Sequence, residues 1–337
     1  MSRSLLAVCA ALLTCCLALP AAAEPVTLTY SNFFPPAHFQ SKLAEAWCAE
    51  VTKQTEGRVK FQYYPGQTLT NAPQAYEGVV SGLSDLAMGC FAYTRGRFPV
   101  MEVVDLPLGY TSGVQATQVV NEVCQALQPK ELDQVAVMYL HAHGPGLIFT
   151  RTKPVKCLAD LKGLKIRATG TTGELVKALG GTPVSMPMPE VYQALSRGVV
   201  DGAVYPMESN MGWKLAEVTR YGALCTSMAY TTSFFVVMNK DKWATLSPAD
   251  QKIIRAINQT WAARTGAAWD TVDRAGWEFF LGLPEHQLVE VAPADAEAFR
   301  QAAQPVLTAF AESLDAKGFQ GRKILDVARK AVAQAGK

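Results

Sequence analysis

The stretch that most limits what this chain can fold into lies late in the sequence. After the extended run "TTSFFVVMNK", Ser247 and Pro248 form a helix-start signal, and "PADQKIIRAINQTWAARTGAAWDTVDRAGWEFF" keeps a helical pattern for roughly thirty residues. A helix of that length cannot be confined to one small domain. What precedes it comes as two separate series of alternating strand and helix patterns. The first begins at Val26, Leu28 and Tyr30, passes through a helix with apolar positions at Phe39, Leu43, Trp47 and Val51, and ends near Phe149. The second begins at "CLADLKGLKIRATG" and includes "MPEVYQALSRGVV" and "DGAVYP". Such alternation is the sign of α/β units with a mostly parallel sheet. The chain is therefore expected to form two α/β lobes, crossed more than once and shared by the long helix. Residues 24–149 with about 236–275 are expected in the first lobe, and 150–235 with about 276–337 in the second.

The 337 residues include 49% hydrophobic and 18% charged, ordinary for a globular protein of about two domains. A net charge of +2, with no basic stripe, lacks the electrostatic footprint of a nucleic-acid binder. At the start, Arg3, the apolar run Leu5 to Leu19 and Ala21-Ala22-Ala23 before Glu24 form a secretory signal peptide, with cleavage expected after Ala23. That run is too short to span a bilayer comfortably, and no later window reaches the ~18 to 20 apolar residues that a span needs. Cys48, Cys90, Cys124, Cys157 and Cys225 follow the cleavage point, with no CxxC pair among them. Their spacing supports neither a zinc site nor a redox motif, and burial as small apolar side chains is the simpler expectation. A nucleophile elbow, phosphate loop, dinucleotide fingerprint and HExxH helix are all missing from the text, so nothing in it signals an enzyme.

The order "GRVKFQYYPGQTL", "DLPLGY", "DLKGLKIRATG", "VYQALSRGVVDGAVYP" and "FFVVMNKDKWATLSPADQKII", behind a signal peptide, resembles the solute-binding proteins of tripartite ATP-independent periplasmic (TRAP) transporters. The resemblance spans roughly residues 26–334. It implies a two-lobed periplasmic binding protein fold with a ligand cleft between the lobes, crossing strands and a helix spanning both. It also implies capture of an organic acid by hinge closure in the periplasm and delivery to TRAP membrane permease subunits; separately, a monomer without a cofactor is expected. A ligand sensor that presents its closed form to a receptor kinase is the alternative that the same text allows.

In this family an Arg at the position of Arg167, on the strand of "LKGLKIR", typically clamps the ligand carboxylate. The planar guanidinium offers parallel N–H donors that fix a carboxylate's orientation, which Lys cannot do. The competing reading is an internal Asp or Glu partner. The resemblance places Gly146, in "HGPGLIFTRTKP", where many relatives carry a second Arg, and Arg151 lies too far along to substitute. One fixed cation suits a monocarboxylate, since a second desolvated carboxylate would lack a partner. Tyr205, in "DGAVYP", stands where the family's Asn would, and Val204-Tyr205 lacks the carboxylate of the metal-using members, so no metal is expected. Phe33, Phe34 and His38 in "SNFFPPAH" and Tyr93 in "CFAYTRGRFP" follow strand ends, where ligands of open α/β sheets bind. His143 in "YLHAHGPG" is a candidate polar contact; with His141 it has a spacing that a metal could use, but no third ligand stands nearby. Ser209 and Phe234 complete the candidate set.

Overall fold

The structure is a computed structural model that describes residues 25–335; the expected signal peptide lies outside the described residues. In chain order the strands are β1 (Val26–Asn32), β2 (Val59–Tyr64), β3 (Leu86–Cys90), β4 (Val135–Ala142), β5 (Gly146–Thr150), β6 (Lys165–Ala168), β7 (Thr182–Ser185), β8 (Gly202–Pro206), β9 (Tyr221–Leu224), β10 (Ser233–Asn239) and β11 (Gln287–Glu290). The α-helices are α1 (Phe39–Gln54), α2 (Ala75–Val80), α3 (Gly113–Leu127), α4 (Thr171–Ala178), α5 (Met188–Ser196), α6 (Ser209–Gly212), α7 (Lys240–Thr245), α8 (Pro248–Gly282), α9 (Pro293–Ala316) and α10 (Gly321–Ala335).

The strands form two sheets, ordered β2-β1-β3-β10-β4 and β11-β9-β5-β8-β6-β7. Within the first, β1 runs parallel to β2 and β3; within the second, β6 runs parallel to β7 and β8. The strand that follows each crossing, β5 or β10, lies antiparallel to its neighbours. Strands β3, β5 and β8 are buried along their whole length, as expected where helices or loops cover both faces. Two apolar clusters flank each sheet.

The two crossings run side by side. Gly146 N–H donates to Tyr230 O at 2.9 Å, His143 N–H to Thr232 O at 3.3 Å, and Ser233 pairs with Ala142. Both the backbone N–H and the hydroxyl of Ser233 donate to the buried Asp105 Oδ1, at 2.9 and 2.6 Å, which pins the return crossing to the first lobe. Helix α8 is the long helix that the sequence announces. It has 35 residues, about 52 Å at 1.5 Å per residue, with Ser247 accepting from Asp250 N–H at its start. Ile254, Ile257, Trp261 and Trp269 pack into the first lobe, and Phe280 into the second.

The lobe limits shift in three places from those expected. Strand β5 already belongs to the second sheet, so the first crossing occupies residues 143–145. The return is complete by Ser233. Helix α10 packs on α3 of the first lobe through Ile324, Leu325, Ala328 and Ala331, while α9 touches both lobes. An amphipathic pattern states which face of a helix is buried, and leaves open which lobe buries it. All five described cysteines are unpaired, with Cys48, Cys90 and Cys225 buried.

Candidate functional site

The ends of β1, β3, β6 and β8 converge on one narrow cavity between the lobes. The first lobe supplies Phe33, Phe34, Tyr93 and Phe234. The second supplies Arg167, Thr169, Met188, Ser209 and Trp213, and α8 adds Trp269. Phe33 stacks on Phe34 at 4.3 Å between centroids, and Phe234 on Trp269 at 5.7 Å, so the walls are flat and apolar.

Arg167 is the cavity's cation and is only 4% exposed. Its Nε–H donates to Met186 O at 2.9 Å and its Nη1 to Val204 O at 3.3 Å. Among the described residues no Asp or Glu forms an ion pair with it. The backbone thus orients the guanidinium and leaves donors unspent. Holding an unneutralised cation away from water costs several kcal/mol, a cost that an incoming anion can offset. Burial raises the phenols of Tyr93 and Tyr230, and the nearby Arg167 works against that rise in both, so two neutral hydroxyls stand beside the cation.

Gly146 explains the missing second cation. A Cβ at this position would overlap the ring of Tyr230 and come within 2.7 Å of its hydroxyl. Tyr230 therefore fills the space into which a side chain at 146 would grow. Here the cavity is walled by a neutral aromatic.

Two expected contacts take different roles. Tyr205 borders the cavity, but its ring lies against Phe149 at 4.3 Å and its hydroxyl meets Asn210 Oδ1 at 3.2 Å and Thr219 Oγ1 at 3.1 Å. Strand alternation turns it into the core behind the sheet, and Tyr93 and Tyr230 bring phenols to the cavity instead. His38 lies next to the cavity and caps α1, its Nδ1 accepting from Gln40 N–H at 3.2 Å. That leaves Nε2 to face Glu208 Oε1 across the lobes at 2.9 Å, an electrostatic approach without aligned hydrogen-bond geometry, with both side chains buried. Gly212 makes room for this pair, because a Cβ there would overlap Glu208 Oε1 and lie 2.8 Å from His38 Nε2. Trp213 leans over His38 and Phe34, and Met188 N–H donates to Tyr93 Oη at 3.1 Å, so three contacts latch one lobe to the other. Glu208→Gln should keep the shape of this latch but weaken its charge contact. The expected result is a roughly tenfold faster ligand release in stopped-flow tryptophan fluorescence. An unchanged rate would mean that the pair contributes nothing to closure.

Phe33, Phe34, Tyr93, His143, Arg167, Ser209 and Phe234 all reach the cavity. Sequence reasoning missed Trp213, Tyr230 and Trp269. Trp269 sits midway along the long helix, where that helix passes from one lobe to the other. Its position could have been found there, although its facing could not.

Two α/β lobes joined by paired crossings around a buried, singly cationic cavity define a periplasmic-type solute-binding protein. The chain belongs to the bacterial extracellular solute-binding proteins of family 7, whose family model matches residues 30–313, and with it to the TRAP solute-binding proteins. It is 32% identical to a TRAP solute-binding protein of Rhodoferax ferrireducens in complex with copurified benzoate, covering 92% of this chain and 98% of that one, with a TM-score of 0.86. A Bordetella bronchiseptica TRAP protein with bound (R)- and (S)-mandelate is 33% identical over 92% and 99% of the two chains, with a TM-score of 0.84. A marine-metagenome TRAP protein specific for aromatic acid ligands, solved with 3-hydroxybenzoate and with metahydroxyphenylacetate, is 28% identical over 93% and 100%, with a TM-score of 0.89.

Proposed function

We propose that this protein captures a compact aromatic monocarboxylate between its lobes in the periplasm and, as a monomer, delivers it to TRAP membrane permease subunits. The observation that carries the proposal is the buried Arg167, which has no carboxylate partner among the described residues and lies in a cavity walled by aromatic rings. Benzoate, mandelate and hydroxylated aromatic acids in the related proteins support the same ligand class. The ligand touches both lobes, so its differential affinity favours the closed arrangement that the His38–Glu208 and Tyr93–Met188 contacts hold. Arg167 sets the requirement for an acid, and Phe33, Phe34, Phe234 and Trp269 set the choice of body.

A thermal-shift panel tests this reading, because a ligand at 100 times its Kd stabilises the native state by ~2.7 kcal/mol. Benzoate, mandelate and 3-hydroxybenzoate are expected to raise the melting temperature, while succinate and sialic acid leave it unmoved. A best hit among C4 dicarboxylates would overturn the proposal.

A further inference from the structure

His143 lies where the chain first crosses between lobes, and its ring lines the cavity. It is 3% exposed and edge-on to Tyr230 and Trp269, at 5.8 and 6.0 Å between centroids. Its Nδ1 stands 2.5 Å from Gly144 O. A carbonyl oxygen can only accept, so the proton of the neutral ring resides on Nδ1 and Nε2 carries a lone pair. No protein donor reaches Nε2 among the described residues, and Nε2 is not among the atoms sealed from any free space. With Nδ1 committed to Gly144 O, Nε2 is the ring nitrogen left for the cavity that His143 lines.

Resting on the reading of the cavity as an aromatic-acid site, we propose that His143 Nε2 is a second, neutral anchor that accepts a hydrogen bond from a ligand hydroxyl, which makes the preferred ligand a hydroxyl-bearing aromatic monocarboxylate. The electrostatic surroundings agree. Arg167 faces the ring from β6, His141 lies two residues back on β4, Tyr230 flanks it from the return crossing, and Asp273 of α8 approaches the adjoining Gly144. Burial lowers the His143 pKa to about 4; the Gly144 hydrogen bond opposes that shift and Arg167 adds to it. A group lowered in this way stays uncharged from pH 8 down to about 5. It can accept a hydrogen bond from a hydroxyl but cannot serve as a second cation for a dicarboxylate. A ligand without a hydroxyl leaves a desolvated acceptor unpaired, and sites of that kind discriminate strongly against the analogue that lacks the donor.

The test is calorimetric titration of three matched pairs, benzoate with 3-hydroxybenzoate, phenylacetate with 3-hydroxyphenylacetate, and phenylacetate with mandelate, against the wild type, His143→Phe and His143→Gln. The quantity read is the affinity ratio of hydroxylated acid to parent. In the wild type at least one pair is expected to give about tenfold or more, and which pair does so separates a ring hydroxyl from an α-hydroxyl. The ratio should fall toward one in His143→Phe and recover in part in His143→Gln, whose amide oxygen restores an acceptor. It should also stay flat between pH 8 and 5.5. Ratios near one in all wild-type pairs, or a ratio that survives His143→Phe in a protein whose melt confirms folding, would overturn the anchor while leaving the aromatic-acid reading intact. An affinity that climbs as pH falls through 6.5 would identify a cationic His143 and overturn it as well. If none of these acids binds, both readings fall.

Discussion

Replacing Arg167 by methionine is expected to weaken binding of an aromatic acid at least ~30-fold while leaving the ligand-free protein as stable as before. The size follows from removing one partner of a buried, hydrogen-bonded charge pair, which costs about 2 to 5 kcal/mol. The stability expectation follows from the site itself. Arg167 is buried without an internal carboxylate partner among the described residues, so its removal relieves a desolvated charge instead of stranding one. The carbonyls of Met186 and Val204 lose their donor, which offsets part of that relief. The net change should stay within ~1 kcal/mol, about 1 to 2 °C for a chain of this size at ~2.1 cal/mol/K of unfolding entropy per residue. Arg167→Lys should regain only part of the affinity, because the charge returns without the planar fork. Calorimetry beside ligand-free melts reads both quantities. A large fall in the ligand-free melting temperature would point to an internal partner and a structural role for Arg167.

The second large effect is expected at Gly146. Gly146→Arg forces a side chain into the Tyr230 ring, and overpacking of that kind should cost about 3 kcal/mol or prevent folding. Pairing it with Tyr230→Ala clears the space and places two cations in one cavity. The double variant is then expected to fold, to bind succinate measurably, and to lose much of its preference for aromatic acids. Thermal melts and titrations of both variants provide the check. If Gly146→Arg alone folds with wild-type stability, Tyr230 is not what closes that position. If the double variant still ignores dicarboxylates, the single cation is not what sets ligand charge.

Much of the fold was legible because its strongest signals are local. The capping signal at Ser247-Pro248 and the long helical pattern belong to α8, and the alternating patterns that ran ahead of it became two sheets. Arg167 was legible because a permanent cation beside the end of a short strand needs an explanation. Relations set by tertiary packing were less accessible. The resemblance set Tyr205 at a ligand position, and strand alternation alone did not say which face of β8 meets the cavity; its hydroxyl is spent on Asn210 and Thr219. His38 followed a strand end, as a ligand contact should, but its partner Glu208 lies 170 residues away in another lobe and no spacing rule connects them. The space above Gly146 is filled by Tyr230, 84 residues later, through the pairing of the two crossings, a relation visible only once the backbone is folded.

A crystal structure of the protein grown with 3-hydroxybenzoate tests most directly the claim that a lone buried guanidinium selects an aromatic monocarboxylate. The ligand carboxylate is expected on the unspent Nη donors of Arg167, with its ring between the Phe33–Phe34 and Phe234–Trp269 walls. A carboxylate seated elsewhere, or an Asp or Glu of the protein occupying those donors while the acid is bound, would contradict it.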